Sequence, residues 1–597
     1  MMATNISATN MLNSYALFNA TDIKKFIIDQ LKANENNPLK DADYLGSNIN
    51  AFIDIIAVML QQLLFSYSVN ASETSFSTAL LYENMSRIVS LLNYKSVGKQ
   101  TSILPVRFTI HRESTNTENP EEVTIPKFLN TSYNYTYTLL NEELAIIPKN
   151  AEYVELDTIL YQGKVHESEV FVANGDDFEL INIVDNFIKS SDNVFISDNF
   201  FTVYVNEDGT EDGTWVEYEE TSSLFLENAD APKYERRFNE DLGYEFKFGN
   251  GTYGKKLKKG SKILIYYLVS DGEVAQIGNE VLEGRYVTEF SSTNFKLMPN
   301  SKTIKLKNNI IVKNTGPSTP VSYPESVTSI RKNAPKVFSS QGRLFSLSDY
   351  NSFINRYFSS YIKDVYFCNN DTFSKQYIKY YYDLGLDSPQ KDSRLSLAQV
   401  NFMTAANFNN IYCFLVPSVN TIIDSKIPNY LNSALKKQIT NKAEPQMGIT
   451  HNLVIMDPIY KAFTFASSNL DSSIFDSKQL NNKLILVKDP NSKYSYNFVK
   501  KYCIDNLKTY FNNLKLGAIL NVTDIAQVIM TSPGVKNFYI KDENGNIDNK
   551  LILFVWNPLY KNEDNSIVSQ IYKCKEFEYP YFYDLNNISN LIEVIDE

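Results

Sequence analysis

The feature that most constrains this chain is a glycine-rich stretch, residues 244–279, that separates two strand-like segments. Gly249, Gly251 and Gly254 have the spacing G-x-G-x-x-G, which in nucleotide-binding proteins follows a strand and opens a helix. The residues that follow, 263–269, are β-branched and aromatic and predict a second strand instead. Because phosphate is held by the amide groups and positive dipole end of a helix N-terminus, this order of elements argues against a phosphate-binding loop.

The same stretch is better explained as a β-hairpin. Position 256 is Lys, where a P-loop has the Ser or Thr that binds magnesium. Residues 255–259 are mostly basic and suit a solvated turn. The glycines then allow backbone conformations with positive φ, and the structural glycines predicted for this hairpin are Gly249, Gly251, Gly254 and Gly260.

Composition excludes several functional classes. A chain of 597 residues is too long for one hydrophobic core, and about three to five domains are expected. The net charge is −12 and the basic residues are scattered, so neither nucleic acid nor an anionic membrane is an expected partner. The four cysteines form no C-x-x-C pair, which argues against zinc and against a disulfide framework. No secretory signal is recognised, and folding in a reducing cytoplasm is expected.

Three helices are predicted near the N-terminus, at residues 21–32, 46–69 and 75–92. The second is apolar on most of its surface, so other helices must surround it. A membrane span is the alternative, but Asp54, Gln61 and Gln62 interrupt the apolar run, which is far shorter than about 18 residues. Because three helices hardly cover so wide a stripe, part of it is expected to contact another chain, with the candidate residues Phe52, Ile53, Ile56, Leu60 and Leu63.

From residue 103 the apolar pattern changes to alternation, which predicts strands, and helical spacing returns in the second half of the chain. The predicted fold is therefore a multidomain α+β protein. Its expected parts are an N-terminal helical bundle (1–100), a central β-rich domain (101–290), a connector (291–325), an α+β domain (326–425) and a C-terminal α+β domain (426–597).

Two local predictions follow for the second half. Ser346 or Ser348 is expected to cap a helix, with Asp349 at its positive end, and residues 377–382 are expected to form a strand. The C-terminal domain is the candidate for ring or dimer contacts, although burial in the local core explains the same residues equally well. Those candidates are Ile525, Val528, Ile529, Phe554 and Trp556.

No group of residues predicts catalysis, a metal site or a cofactor. The histidines lie in different segments without ligand spacing, at His111, His166 and His451. Asp542 opens a sequence similar to a calcium loop, but Ile547 and Leu553 stand where that loop requires Gly and Glu. The dipeptide at 544–545, Asn-Gly, is more typical of a hairpin turn, and we expect the chain not to be an enzyme.

Several motifs resemble those of the baseplate-J-like wedge proteins of contractile-tailed phages, and they extend in order from residue 21 to residue 535. In the glycine-rich stretch the matching residues are Phe248-Gly-Asn-Gly251, Tyr253-Gly-Lys255, Gly260, Tyr266-Tyr267, Gly272 and Ile277-Gly-Asn279. Near the N-terminus the chain resembles the T-even wedge proteins in three short motifs, which are Tyr44-Leu-Gly-Ser47, Asn70-Ala-Ser-Glu73 and Leu91-Leu-Asn-Tyr94. The family usually has Asn-Glu before Phe76, whereas this chain has Ala-Ser-Glu-Thr-Ser, which puts the local turn in doubt.

The resemblance implies a structural protein of the virion, located in the tail baseplate and assembled in the host cytoplasm. It implies two copies per wedge, contact with other wedge proteins through a helical bundle, and a ring around the tail hub, with the hub and the sheath-initiating proteins as further partners. A receptor-binding or polysaccharide-degrading tail protein is an alternative. A wedge subunit of a bacterial contractile injection system is a closer one.

Overall fold

The computed structural model describes residues 19–33, 38, 48–92, 94–113, 117–183, 193–210, 213–239, 243–278, 281–282, 284–289, 305–375, 408–418, 426, 429–468, 481–542, 544–559 and 565–596. The chain separates into two compact units, which are Met1–Lys95 with Ser326–Ala334, and Ser96–Glu325 with Pro335–Glu597. The predicted strand at 377–382 lies outside the described residues.

The three helices predicted near the N-terminus are present with shifted ends, whereas the helix Val327–Ser340 was not predicted. Asn19 caps the first helix by accepting a hydrogen bond from the Asp22 amide at 2.9 Å. The predicted cap at Ser346 is confirmed, because its hydroxyl and the Asp349 carboxylate form a reciprocal capping box. The described α-helices are α1 (Ala20–Lys32), α2 (Asn48–Glu73), α3 (Tyr82–Ser90), α4 (Val327–Ser340), α5 (Leu347–Tyr357), α6 (Ser433–Ala443), α7 (Tyr496–Asn512) and α8 (Val522–Met530).

Strands dominate the region from residue 103 to residue 314. The alternation predicted there is confirmed in the first strand, where Val106, Phe108 and Ile110 are fully buried. The strands are β1 (Ile103–His111), β2 (Glu121–Ile125), β3 (Asn130–Tyr133), β4 (Tyr135–Thr138), β5 (Glu143–Ile147), β6 (Tyr153–Gln162), β7 (Lys164–Glu167), β8 (Phe171–Val172), β9 (Leu180–Ile183), β10 (Phe195–Asn206), β11 (Trp215–Glu220), β12 (Lys233–Asn239), β13 (Gly243–Phe248), β14 (Lys262–Ser270), β15 (Arg285–Glu289) and β16 (Lys305–Asn314).

Two large sheets are built from these strands. The first has the order β15-β16-β1-β6-β4-β3, and the second has the order β7-β14-β10-β11-β12-β13-β9, with β8 also on β14. The strand β16 lies in the segment predicted to connect two modules. It pairs with β1 in antiparallel register, so that part of the segment belongs to the β-rich region.

The predicted glycine hairpin is wrong. β13 pairs with β12 and β9, whereas β14 pairs with β10, β7 and β8, so the two strands next to the glycines do not pair with each other. The glycine segment is a compact loop that leads from one part of the sheet to another. The strand after the loop confirms that no helix N-terminus is present to hold phosphate.

The C-terminal half combines smaller sheets with helices. The strands are β17 (Ile362–Asn369), β18 (Asn410–Pro417), β19 (Asn452–Met456), β20 (Ile459–Ala466), β21 (Lys483–Lys488), β22 (Ile519–Asn521), β23 (Val535–Lys541), β24 (Ile547–Asp548), β25 (Ile552–Trp556), β26 (Ser566–Val568), β27 (Ile571–Lys573), β28 (Glu578–Phe582) and β29 (Ile592–Ile595). They form sheets of order β17-β18-β19, β26-β25-β20-β28 and β24-β23-β21-β29, besides the pairs β2-β5 and β22-β27.

Two main hydrophobic clusters hold the larger unit. One contains residues of β1 and β6 together with α5, β17, β18 and α6, so the predicted central domain and the α+β region after it share a core. The other contains residues of β20, β21, β23 and β25 together with α7 and α8. The fold is thus multidomain with helices and many strands, as predicted, and the N-terminal bundle is not confirmed. The first cluster crosses the predicted domain boundaries, whereas the second lies within the predicted C-terminal domain.

The glycines of the loop serve two different physical needs. Gly251, Gly254 and Gly260 have positive φ, as predicted, but Gly249 does not. A Cβ at Gly249 would lie 2.2 Å from the carbonyl carbon of Gly254, so this position requires Gly because two parts of the backbone approach each other.

Gly254→Ala should destabilise the β-rich region more than Gly260→Ala. Both positions have positive φ, which costs about 1–3 kcal/mol for other residues. Only at Gly254 would the new Cβ also clash, at 2.7 Å from Leu224 Cδ2, whereas nothing lies within 4 Å of a Cβ at Gly260. The free energies of unfolding are compared by urea unfolding. Both variants also carry Trp556→Phe, so that the fluorescence comes from Trp215, the other tryptophan of the chain. Equal losses would show that the packing against Leu224 adjusts without cost.

Candidate assembly surface

The described part of the chain leaves most of the apolar surface of α2 uncovered. Phe52 and Leu63 are each 64% exposed, Ile56 is 48% exposed and Leu60 is 39% exposed. Ile53, the fifth predicted interface residue, is 4% exposed and belongs to the covered side. The described helices of this unit therefore do not close a bundle around α2.

The covered side of α2 faces α1. The residues buried there are Asn50, Ile53 and Ala57, with helical spacing. On α1 the buried residue is Ile23. An ion pair at the edge of this contact joins Lys24 Nζ and Asp54 Oδ1 at 2.6 Å. This contact orients α2, and it accounts for about a third of the circumference of the helix at 3.6 residues per turn.

One exposed stripe has the spacing of a coiled coil. Its residues alternate three and four positions apart, as the a and d positions of a heptad do. This spacing keeps the stripe facing a neighbouring helix for about 20 Å. We call it seam A, and it consists of Ile49, Phe52, Ile56, Met59 and Leu63, all of which are exposed.

The length and composition of α2 would also suit a membrane span. The helix α2 is long and apolar enough to cross a membrane, and only 17% of its most apolar 18-residue window is buried. Asp54, Gln61 and Gln62 therefore do not disqualify it by composition. A surface that packs against helices differs from a lipid-facing one in the periodicity of its apolar residues. The three-four spacing of seam A favours helices as neighbours.

The C-terminal end of α2 is held by two charged side chains. The carboxylate of Glu73 accepts hydrogen bonds from the Leu80 amide at 2.9 Å and from the Leu81 amide at 3.1 Å, just before α3 begins. The Arg331 guanidinium donates to the Phe76 and Ala79 carbonyls, at 3.2 and 2.6 Å. These bonds satisfy backbone groups of the turn after α2 and fix where α3 starts.

The Glu73 contact gives this turn a pH dependence. The hydrogen bond from the Leu80 amide holds the pKa of the Glu73 carboxyl below its usual range, since only the ionised form accepts at both oxygens. Because the folded-state pKa is the lower one, the stabilisation is present above the unfolded-state pKa, about 4.3, and is lost as the pH falls through the folded-state pKa.

We expect amide exchange in residues 80–90, corrected for the intrinsic rate at each pH, to increase below about pH 4. Glu73→Gln should show the faster exchange already at pH 7 with less dependence on acid, because its amide nitrogen cannot accept from Leu81. A variant that keeps the wild-type protection at pH 7 would contradict the capping role of Glu73.

The C-terminal candidates are mostly core residues, so their assignment to an interface is corrected. Ile525 and Ile529 are fully buried against the sheets of the second cluster, and Val528 packs partly buried beside them. Phe554 and Trp556 stack at 5.3 Å between ring centroids and are buried on the other face of β25. A second copy of the chain cannot reach these four buried side chains in this conformation.

A different surface of the C-terminal region is exposed and aromatic. Tyr494, just before α7, stacks on Phe498 at 4.6 Å between ring centroids, and Phe498 stacks on Tyr502 at 5.9 Å. The three side chains are between 42% and 46% exposed. Their i, i+4, i+8 spacing was visible in the sequence, but an exposed aromatic face and a buried one have the same spacing. We call these three residues the α7 stripe.

Ile525→Ala should lower the free energy of unfolding by about 2–5 kcal/mol, because it leaves a cavity in the core. Phe498→Ala should lower it by about 1 kcal/mol or less, since the ring is 43% exposed. Urea unfolding of Trp215→Phe variants, followed by the remaining Trp556, compares the two. A larger loss from Phe498→Ala would place that residue in the core instead.

The remaining motifs supply no chemistry in the described part of the chain. None of its His, Cys, Asp and Glu side chains form a group of three or more that could hold a metal ion. The sequence similar to a calcium loop is the turn between β23 and β24, as predicted, with Gly545 at positive φ. There the Asp542 carboxylate accepts from the Asn546 amide at 2.7 Å.

Comparison with solved structures gives a likeness to a baseplate chain. No family model matches the sequence, and no curated protein matches it. A solved chain of the anti-feeding prophage baseplate, from a six-fold symmetrised cryo-EM structure, aligns with 94% of this chain and 98% of its own length. The two are 11% identical and the TM-score is 0.27, which is too low for the likeness to support a functional conclusion.

Proposed function

We propose that the protein is a structural subunit of the baseplate of a contractile tail, and that its N-terminal helix α2 joins it to helices of other baseplate proteins. The observation that carries the proposal is the exposed, heptad-spaced seam A on a helix that the described residues cover on one side only. The motifs between residues 21 and 535 that resemble wedge proteins support it. No catalytic role is proposed.

A ring of identical wedges needs at least two contact surfaces on the subunit, because a single self-complementary patch stops at a dimer. We propose α2 as one surface. The buried C-terminal candidates cannot serve as the other, and the α7 stripe takes their place in the proposal. The family resemblance implies two copies per wedge and a ring that closes around the tail hub. We include both in the proposed assembly.

The alternatives differ in what they require. A bacterial contractile injection system would use the same surfaces, so it is a variant of the proposal. A receptor-binding or polysaccharide-degrading tail protein would need a binding cleft, and no described feature favours one.

Ile56→Asp should prevent assembly without unfolding the chain. Ile56 is 48% exposed, so the isolated variant should unfold at the same urea concentration as the wild type. In an assembled seam the unpaired carboxylate would cost several kcal/mol. Electron microscopy of particles made with the variant in place of the wild type should show no complete baseplates. The control is Ser68→Asp, an exposed residue on the same helix away from seam A.

Complete baseplates with Ile56→Asp would contradict the proposal. Flotation of the purified wild type with phospholipid vesicles, lost in Ile56→Asp, would contradict it in another way, by showing that α2 binds lipid. Deletion of residues 490–597 is a poor test, because it removes β28 and β29, which pair with β20 and β21 in the remaining chain. Phe498→Asp tests the second surface with less damage to the fold.

A further inference from the structure

Three polar side chains are buried at one end of the core that contains α7 and α8. Lys461 of β20 is 0% exposed, Glu578 of β28 is 1% exposed, and Asn557, the residue after β25, is 2% exposed. Lysine and glutamate are almost never fully buried unless they are paired, because a charged or polar group loses its hydration in a core. The function proposed above uses none of the three.

The sheet brings these residues to one face of its inner strand β20. This strand pairs with β25 in antiparallel register, with Ala462 opposite Trp556. Continuing the register by one residue places Asn557 opposite Lys461, and the Cβ atoms of two such facing residues are about 5 Å apart. On the other side β28 runs parallel to β20, and Glu578 Oε1 lies 3.8 Å from Lys461 Nζ. The lysine therefore lies between a carboxamide and a carboxylate.

The surroundings of these side chains exclude water. Two positions further along the same face of β20 and β25 are Phe463 and Val555, which are both fully buried. Phe582 of β28 contacts Phe463, with 5.5 Å between the ring centroids. An ion pair is costly in such a site, because both charges have lost their water. Transfer of a proton from the Lys461 ammonium to the Glu578 carboxylate removes both charges and leaves an amine, which is a nucleophile.

Hydrogen bonds position the two groups beside the lysine. Glu578 Oε2 accepts from the Lys575 amide at 2.8 Å, whereas Oε1 accepts no hydrogen bond from the described residues. Oε1 can therefore take up and return a proton. Asn557 Oδ1 accepts from the Leu559 amide at 3.0 Å. Negative charge develops on this oxygen when a nucleophile attacks the carboxamide carbon, so the Leu559 amide stabilises the intermediate.

We propose that Lys461 and Asn557 form an intramolecular isopeptide bond and that Glu578 transfers the protons. The Lys461 amine attacks Asn557 Cγ, so that a bond forms between Nζ and Cγ and the bond between Cγ and Nδ2 breaks. Nζ gives up two protons through Glu578, and the departing nitrogen receives both and leaves as ammonium. The net reaction converts the Lys461 ammonium and the Asn557 carboxamide into a secondary amide and an ammonium ion. The Glu578 carboxylate is unchanged, and no oxidant is needed.

The bond joins β20 covalently to the end of β25. The reaction takes place once in each chain, so it is a self-modification and not an enzymatic activity. A link between residues 461 and 557 restricts the unfolded chain and thereby stabilises the folded one, as a disulfide does. The inference concerns the C-terminal core and is independent of the assembly proposed for α2.

The intact mass of the folded chain, purified from cells, tests the bond. The wild type should have the mass of its sequence less one ammonia. Trypsin does not cleave after an acylated lysine, so digestion should give a branched peptide that contains residues 461 and 557. Lys483→Arg is the matched control and should keep the loss of ammonia, because the Lys483 side chain is 44% exposed and is paired with Glu593.

Two variants test the roles of the individual side chains. Lys461→Met removes the nucleophile and Glu578→Gln removes the proton-transfer group, so both should have the full mass of their sequences. Urea unfolding shows whether each variant is folded. A folded wild type at its full sequence mass, or without the branched peptide, would overturn the inference whether or not the variants fold. The branched peptide in folded Glu578→Gln would overturn the role of Glu578.

Discussion

The structure depends on one uncovered hydrophobic surface. The helix α2 has 26 residues and a single ionised residue in its middle part, and the described residues of the chain cover it along one face. Keeping the rest of its apolar surface in water is costly, because burial of each square ångström of apolar surface stabilises a protein or complex by about 25 cal/mol. On the proposed function, association with other baseplate subunits would cover this surface, and the stability of the N-terminal unit would then depend on the concentration of those partners.

The elements that sequence predicts well are those decided by neighbours along the chain. The Ser346 capping box and the Asn-Gly turn at 544–545 are local hydrogen-bond patterns, and both are present. The strand pairing was not predictable in the same way. The segments that flank the glycines look like a hairpin locally, but β13 and β14 find better partners elsewhere in the sheet. Which strands pair depends on the burial of faces contributed by residues far along the chain.

The candidate assembly surfaces also could not be assigned from the sequence alone. Helical spacing identifies an apolar stripe, but it does not say whether the stripe faces the chain's own core or a different molecule. Ile56 and Ile525 lie in equally convincing stripes, and the structure exposes the first and buries the second. Helical spacing places Ile53 in the same stripe as Ile56, but Ile53 is buried on the side that faces α1 and Ile56 is exposed. The sequence does not identify the α7 stripe as a surface, because aromatic residues at this spacing are as typical of a core.

The contact of Arg331 with the turn after α2 has a consequence for synthesis. The guanidinium that fixes this turn is 252 residues further along the chain than Ala79. At a translation rate of about 5–20 residues per second, α2 leaves the ribosome roughly 13 to 50 s before its support exists. During that interval the nascent chain displays the exposed apolar side chains of α2 next to polysomal neighbours that carry the same helix. Two adjacent ribosomes on one message thus bring identical, still unsupported helices close together early in synthesis.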